Sequence, residues 1–147
     1  MYHDGTQQVV MNAPAAWRTA LDIQNTISMR TSSSTTSLSA NTWKALLSMT
    51  ITPGIYIITA GCVFPASVTS GTVAIHIGAS SGTDGLLTRS AQMNVPANAG
   101  NPTTNLSCVT LYNCTSSQTI YLNAYSATAC TLATNASGLY AYKIIPN

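Results

Sequence analysis

From Leu38 onward the chain reads as strand, turn, strand, and two of its runs alternate apolar and polar residues with the period of a half-buried strand. "TVAIHIG" places Val73, Ile75 and Ile77 on one face and Thr72, Ala74 and His76 on the other. "QTIYLNAYSA" does the same, with Ile120, Leu122 and Ala124 against Tyr121, Asn123 and Tyr125. "TWKALLSMTI", "IYIITAGCVF", "LLTRSAQMNV", "NLSCVTLYN" and "GLYAYKII" are five more of about eight predicted strands. Between them stand a Pro53-Gly54 pair, which predicts a type II turn, and the polar segments "SVTSG", "ASSGTDG" and "PANAGNPTT". Short strands at regular spacing with turn signals between them predict an all-β sandwich, jelly roll or barrel.

Two of these strands carry apolar or aromatic residues on both faces. A free-standing sandwich needs one dry face and one wet face per strand, so Tyr121 and Tyr125 are expected to meet another subunit, the other reading being tyrosines with their hydroxyls in solvent.

The first thirty residues follow a different period. Asn12 is a candidate helix cap and Pro14 falls in the first turn, where its missing N–H costs little. Trp17, Ala20, Leu21 and Gln24 follow at helical spacing, with Trp17 and Leu21 on one face. A helix of about three turns is marginal alone and needs a partner for that face. The hydroxyl run Ser32 to Ser37 reads as a linker or an edge strand. The predicted division is a neck, residues 1–30, and a β domain, residues 31–147.

Composition supports the strand reading and narrows the chemistry. Five basic and three acidic residues make up 5% of the chain, Glu is absent, and the net charge is +2. The scattered cations form no footprint for nucleic acid or an anionic membrane. The longest apolar run is too short to span a bilayer, and the first twenty residues have no leader-like apolar core. Hydroxyl and amide side chains dominate the polar positions, as in extracellular fibres and virion parts.

Catalytic material is scarce. Asp4, Asp22 and Asp84 are the only acids, which leaves no carboxylate pair within the β domain. His76 and Asp84 have no nucleophile elbow beside them, and no phosphate-binding glycine loop occurs. His76 reads as an outward-facing strand residue. Cys62, Cys108, Cys114 and Cys130 lack metal-site spacing and read first as small buried hydrophobes, with disulfide pairing left open. The predicted protein is not an enzyme and uses no metal or cofactor. Its candidate ligand groups are Asp84, Arg89, Asn98 and Asn101, in or beside the polar loops 79–86 and 96–104, with Tyr112 and the C-terminal tyrosines as possible platforms for a sugar ring.

"NAPAAWRTAL", Asn12 to Leu21, resembles a segment of tail-fibre and baseplate proteins of bacteriophages and prophages of Gram-positive bacteria, where it precedes a C-terminal head domain. Residues 38–147 are similar in strand order and spacing to C1q/TNF-like jelly rolls. The resemblance implies a ten-stranded jelly roll in a tight homotrimer, with the "QTIYLNAYS" strand near the axis, which makes Tyr121, Asn123 and Tyr125 interface candidates, and with Trp17 and Leu21 packed in a trimeric neck. It implies a virion head that attaches to host surface saccharides or to another virion protein. The alternatives are a purely structural trimerisation module of a virion or spore-surface fibre, and a secreted C1q-like lectin. The chain departs from the pattern in its four cysteines and in "ALDI", which stands where "ALGL" is more usual, so no binding residue is carried over.

Overall fold

A computed structural model describes residues 27–83, 86–96 and 103–146. Ten strands occur among them: β1 (Ile27–Thr31), β2 (Thr36–Leu38), β3 (Thr42–Ile51), β4 (Gly54–Phe64), β5 (Gly71–Gly78), β6 (Leu86–Val95), β7 (Thr104–Cys114), β8 (Gln118–Ser126), β9 (Cys130–Leu132) and β10 (Ser137–Pro146). The all-β expectation holds. The predicted helix, with Trp17 and Leu21, lies outside the described residues.

Pairing follows one rule. β1 pairs with β10, β2 with β9, β3 with β8, β4 with β7 and β5 with β6, all antiparallel. The chain is thus one long two-stranded ribbon that turns back at the β5–β6 hairpin. Further pairing of β10 with β4 and of β5 with β8 rolls the ribbon into two four-stranded sheets, β1-β10-β4-β7 and β3-β8-β5-β6, and a small β2-β9 ribbon.

The sheets close on one core that draws Tyr56, Ile58 and Phe64 from β4, Leu106 from β7 and Leu139 from β10 in the first sheet. Met49, Ile51, Val73, Ile75, Ile77, Ile120 and Leu122 come from the second. In β4 burial alternates residue by residue, as the pleat dictates. The corner from β3 to β4 changes sheets. There Gly54 has φ 150°, the positive value expected of this glycine though not the angle of a type II turn, and the Tyr56 hydroxyl donates to the Thr52 carbonyl at 3.0 Å.

β1 begins four residues before the predicted start of the β domain and pairs with β10 from Ile27. Five residues are too few to establish a period against the helical pattern just upstream. The hydroxyl run ends in a short strand, β2, as one of its two readings required.

Candidate functional site

The outward faces of the two sheets differ in chemistry, and each offers a candidate surface. On the first sheet the register places Ile55, Ile57, Thr59, Gly61 and Val63 of β4 outward. Beside them are Asn105, Ser107, Val109, Leu111 and Asn113 of β7, and Gly138, Tyr140 and Tyr142 of β10. None is charged. Leu111 is 66% and Val109 57% exposed, and Ile57, Val63 and Tyr142 each keep more than a third of their surface in water. Leu111, Ile57 and Tyr142 are direct neighbours across three strands, so these side chains form a continuous stripe.

Beside that stripe the row Gly138–Gly61–Ser107 crosses the same strands with no side chain larger than a hydroxymethyl. Its Gly61 and Ser107 line an open trough of about 370 Å³ together with Thr59, Val109 and Tyr140. The Tyr140 ring leans over Gly138 so closely that a Cβ there would lie 2.7 Å from it. The missing Cβ at Gly138 is what leaves room for the ring.

On the second sheet the outward face is polar but enclosed. Asn123 of β8 and His76 of β5 are register partners on this face, and both are buried. The Asn123 Oδ1 accepts from the Gly82 N–H at 3.0 Å, and its Nδ2 donates to the Ser80 carbonyl at 2.9 Å. Nδ2 also meets His76 Nε2 at 3.1 Å. The Trp43 ring of β3 covers the imidazole at 4.4 Å between centroids and touches Tyr125 at 5.4 Å. The Tyr125 hydroxyl donates to Asn41 Oδ1 at 3.0 Å. The β5–β6 loop, residues 79–83, therefore folds back onto its own sheet. Gly82 has φ 64°, a left-handed turn that a glycine adopts without strain.

Two expectations change here. His76 faces outward from the sheet, as predicted, but the loop and Trp43 bury it. Asn123 was expected at a subunit interface, yet it has no exposed surface, because its amide is bonded within its own chain. Tyr121 and Tyr125, half-buried on the same face, keep surface that a partner could reach.

Of the candidate ligand residues, Asp84, Asn98 and Asn101 lie outside the described residues, and Arg89 lies in β6. Tyr112 is half-buried, and its hydroxyl accepts from Gln118 Nε2 at 2.6 Å. The cysteines stand as thiols. Burial, and secondarily the neighbouring Cys130, pushes Cys62 up to about 12, and burial pushes Cys108 up to about 11. Burial also raises Cys130, against a lowering hydrogen bond with Ser126. Thiols held neutral in this way are poor nucleophiles at physiological pH. Among the described residues no cluster of His, Cys, Asp or Glu is placed to hold a metal ion.

The sequence reading missed the apolar stripe. Its signal was present: in "IYIITAGCVF" and "NLSCVTLYN" apolar residues fall on both parities, with Ile57 and Val63 beside Ile58 and Val109 and Leu111 beside Leu106. The chain matches no protein-family model and no curated protein.

Proposed function

We propose that this chain is a non-enzymatic, homotrimeric head of a bacteriophage tail fibre that attaches to saccharides on the host surface. The observation that carries the assembly is the uncharged apolar stripe on the outer face of the first sheet. With strands about 4.8 Å apart and about 3.3 Å per residue, the stripe and trough cover on the order of 400 Å². Monomers seldom leave more contiguous apolar surface than this in water, and patches of this size are commonly interaction sites. A stripe that runs to the sheet edge at β7 suits a contact repeated around an axis. In this reading the axis lies against β4, β7 and β10, while the half-buried Tyr121 and Tyr125 stand on the opposite sheet.

The ribbon pairing supports a C1q/TNF-like jelly roll. Leaving out the β2-β9 ribbon, the first sheet holds the first, last, third and sixth strands, and the second holds the second, seventh, fourth and fifth. The likeness of residues 12–21 to tail-fibre necks supports the virion setting. Enclosure of His76 and the high-pKa thiols support a role without covalent chemistry.

Light scattering coupled to size exclusion tests the assembly: a mass near three chains is expected, and a mass near one chain overturns it. A glycan array with the trimer tests attachment. Binding lost in Asp84→Asn or Asn101→Ala supports the receptor-binding role; an array with no hits leaves the structural trimerisation module as the better account.

A further inference from the structure

Resting on the attachment reading above, we propose that the depression around Val63, on the outer face of the first sheet, binds one ring of a neutral saccharide. Asn105, Asn135 and Tyr140 supply its polar contacts. The depression holds about 270 Å³ and lies across the Gly138–Gly61–Ser107 row from the apolar stripe.

Three separate segments converge on it. Asn105 comes from β7, where it is the register partner of Val63. Asn135 comes from the β9–β10 loop, which meets β4 on its other side: the Val63 N–H donates to the Ala136 carbonyl at 2.7 Å. Tyr140 comes from β10, and its hydroxyl lies over Gly138, 3.0 Å from where a Cβ would stand. The two amides thus arise about two strand spacings apart, on the order of 10 Å, with Val63 between them. Val63 is 39% exposed, and Gly61 and Gly138, paired beside it, put no side chain above the sheet.

This arrangement matches the two-sided chemistry of a sugar ring. The C–H face of the ring needs an apolar floor, which Val63 and the Tyr140 ring supply, and its hydroxyls need donors and acceptors at the edge. Asn105 and Asn135 are exposed, and neither they nor Tyr140 spend their side-chain polar groups on the described residues. Each amide therefore offers a sugar both a donor and an acceptor. Asn135 is also held in place before a ligand arrives. Its φ of 61° is left-handed, which Asn adopts more readily than most residues, and its N–H donates to the Ser32 carbonyl at 2.9 Å.

Charge narrows the ligand. No charged residue lines the depression. The nearest cation along the chain, Arg30, pairs with Leu139 and so belongs to the opposite face of the sheet. No lining group would offset the desolvation of a phosphate or a carboxylate, so neutral hexoses and N-acetylhexosamines are favoured over anionic sugars. Position matters as well. Ile27, where residues 1–26 join the sheet, pairs with Tyr142 toward the other end of β10, and a subunit contact centred on the stripe leaves Val63 at its rim.

The test titrates the full chain with glucose, galactose and N-acetylglucosamine, and with sialic acid as the anionic probe, while NMR follows the side-chain NH₂ signals. Saturable shifts are expected at Asn105 and Asn135 with a neutral sugar. None is expected at Asn113, the same side chain on the same face of β7 at its other end. Asn105→Ala, and Asn135→Gly, which keeps the left-handed backbone, should each weaken binding about five- to tenfold, as loss of one or two hydrogen bonds does. Asn113→Ala should bind as the unaltered chain does, and all three variants should keep its mass by light scattering. Should Asn135→Gly not fold, Asn105→Ala, at an exposed strand position, decides. Sugar binding that survives these variants, or that is confined to sialic acid, overturns the depression as the site and leaves attachment standing. No binding to any sugar, here or on the glycan array, overturns both. A mass that falls in Asn105→Ala assigns the residue to the subunit contact and overturns the site alone.

Discussion

The two sheets invert the usual rule on their outer faces. The first sheet leaves Leu111, Val109 and Ile57 in water, while the second buries the polar pair His76 and Asn123. Each arrangement costs free energy unless something else completes it. For the polar pair, completion is internal: the loop bonds and the Trp43 ring replace water. For the apolar stripe, the described residues of the same chain supply no cover, and a second copy is the proposed one. The difference teaches where to look for partners. An outer face finished by its own loop is a poor docking surface, however aromatic its sequence; an outer face with apolar residues on the wrong parity is a better one.

The largest expected effect is therefore on assembly. Val109→Asp with Leu111→Asp places two carboxylates in the stripe, and burying them in an interface would cost several kcal/mol each. The trimer should fall to single chains by light scattering. The isolated domain should keep its unfolding free energy to within about 0.5 kcal/mol, as exposed substitutions usually do. If the mass does not change, the stripe is not the interface. Asn123→Ala should do the opposite. It removes one buried bond to the imidazole and the two part-buried bonds to the Gly82 N–H and the Ser80 carbonyl, for a loss of about 2 kcal/mol in denaturant unfolding. The mass should remain unchanged.

Much of this fold was legible, and the misses have physical causes. β3 to β8 and β10 were readable to within a residue at each end, because runs of seven to ten residues bounded by turn signals outvote local propensity. β1, β2 and β9 were missed or left open, since three to five residues rich in Ser and Thr carry too few apolar positions to set a period. For the surfaces, period 2 gives which residues share a face but not what lies over it. Asn123 was therefore placed on the correct face and assigned the wrong cover. Nothing in "ASSGTDG" announces that the loop folds back. That depends on Gly82 adopting a left-handed conformation beside β3, whose carbonyl at Trp43 would stand 3.5 Å from an added Cβ.

Between the two faces, the core thiols give an effect of intermediate size. Cys62 is raised from 9.0 to about 12 by burial and the nearby Cys130. A folded value above the unfolded one means that its contribution is fully present below about pH 9. It is lost as pH rises toward 12. Unfolding free energy should therefore fall between pH 9 and 11 at up to about 1.4 kcal/mol per pH unit for this thiol. Cys62→Ala should flatten that slope. A slope unchanged in the variant would mean that Cys62 ionises alike in folded and unfolded chains.

The smallest expected effect separates the stripe from the stability of the sheet beneath it. Gly138→Ala adds a Cβ that meets only the far end of the Tyr140 side chain, at 2.7 Å from a ring carbon and 3.0 Å from the hydroxyl. The ring can swing aside, so the cost to folding should stay below about 1 kcal/mol, the range in which Gly and Ala differ in ordinary backbone. Swinging aside moves the ring off the trough wall. Association should then weaken by a few-fold in dilution experiments while the melting temperature hardly moves. Gly71→Ala is the control: its added Cβ would lie 2.8 Å from that of Ala127, at φ 90°, where an alanine is strained regardless of space. It should lower the melting temperature and leave association of the folded chains alone. If Gly138→Ala behaves like Gly71→Ala, the Tyr140 ring is fixed by the sheet and not poised at its surface, and the trough loses its claim to be part of the interface.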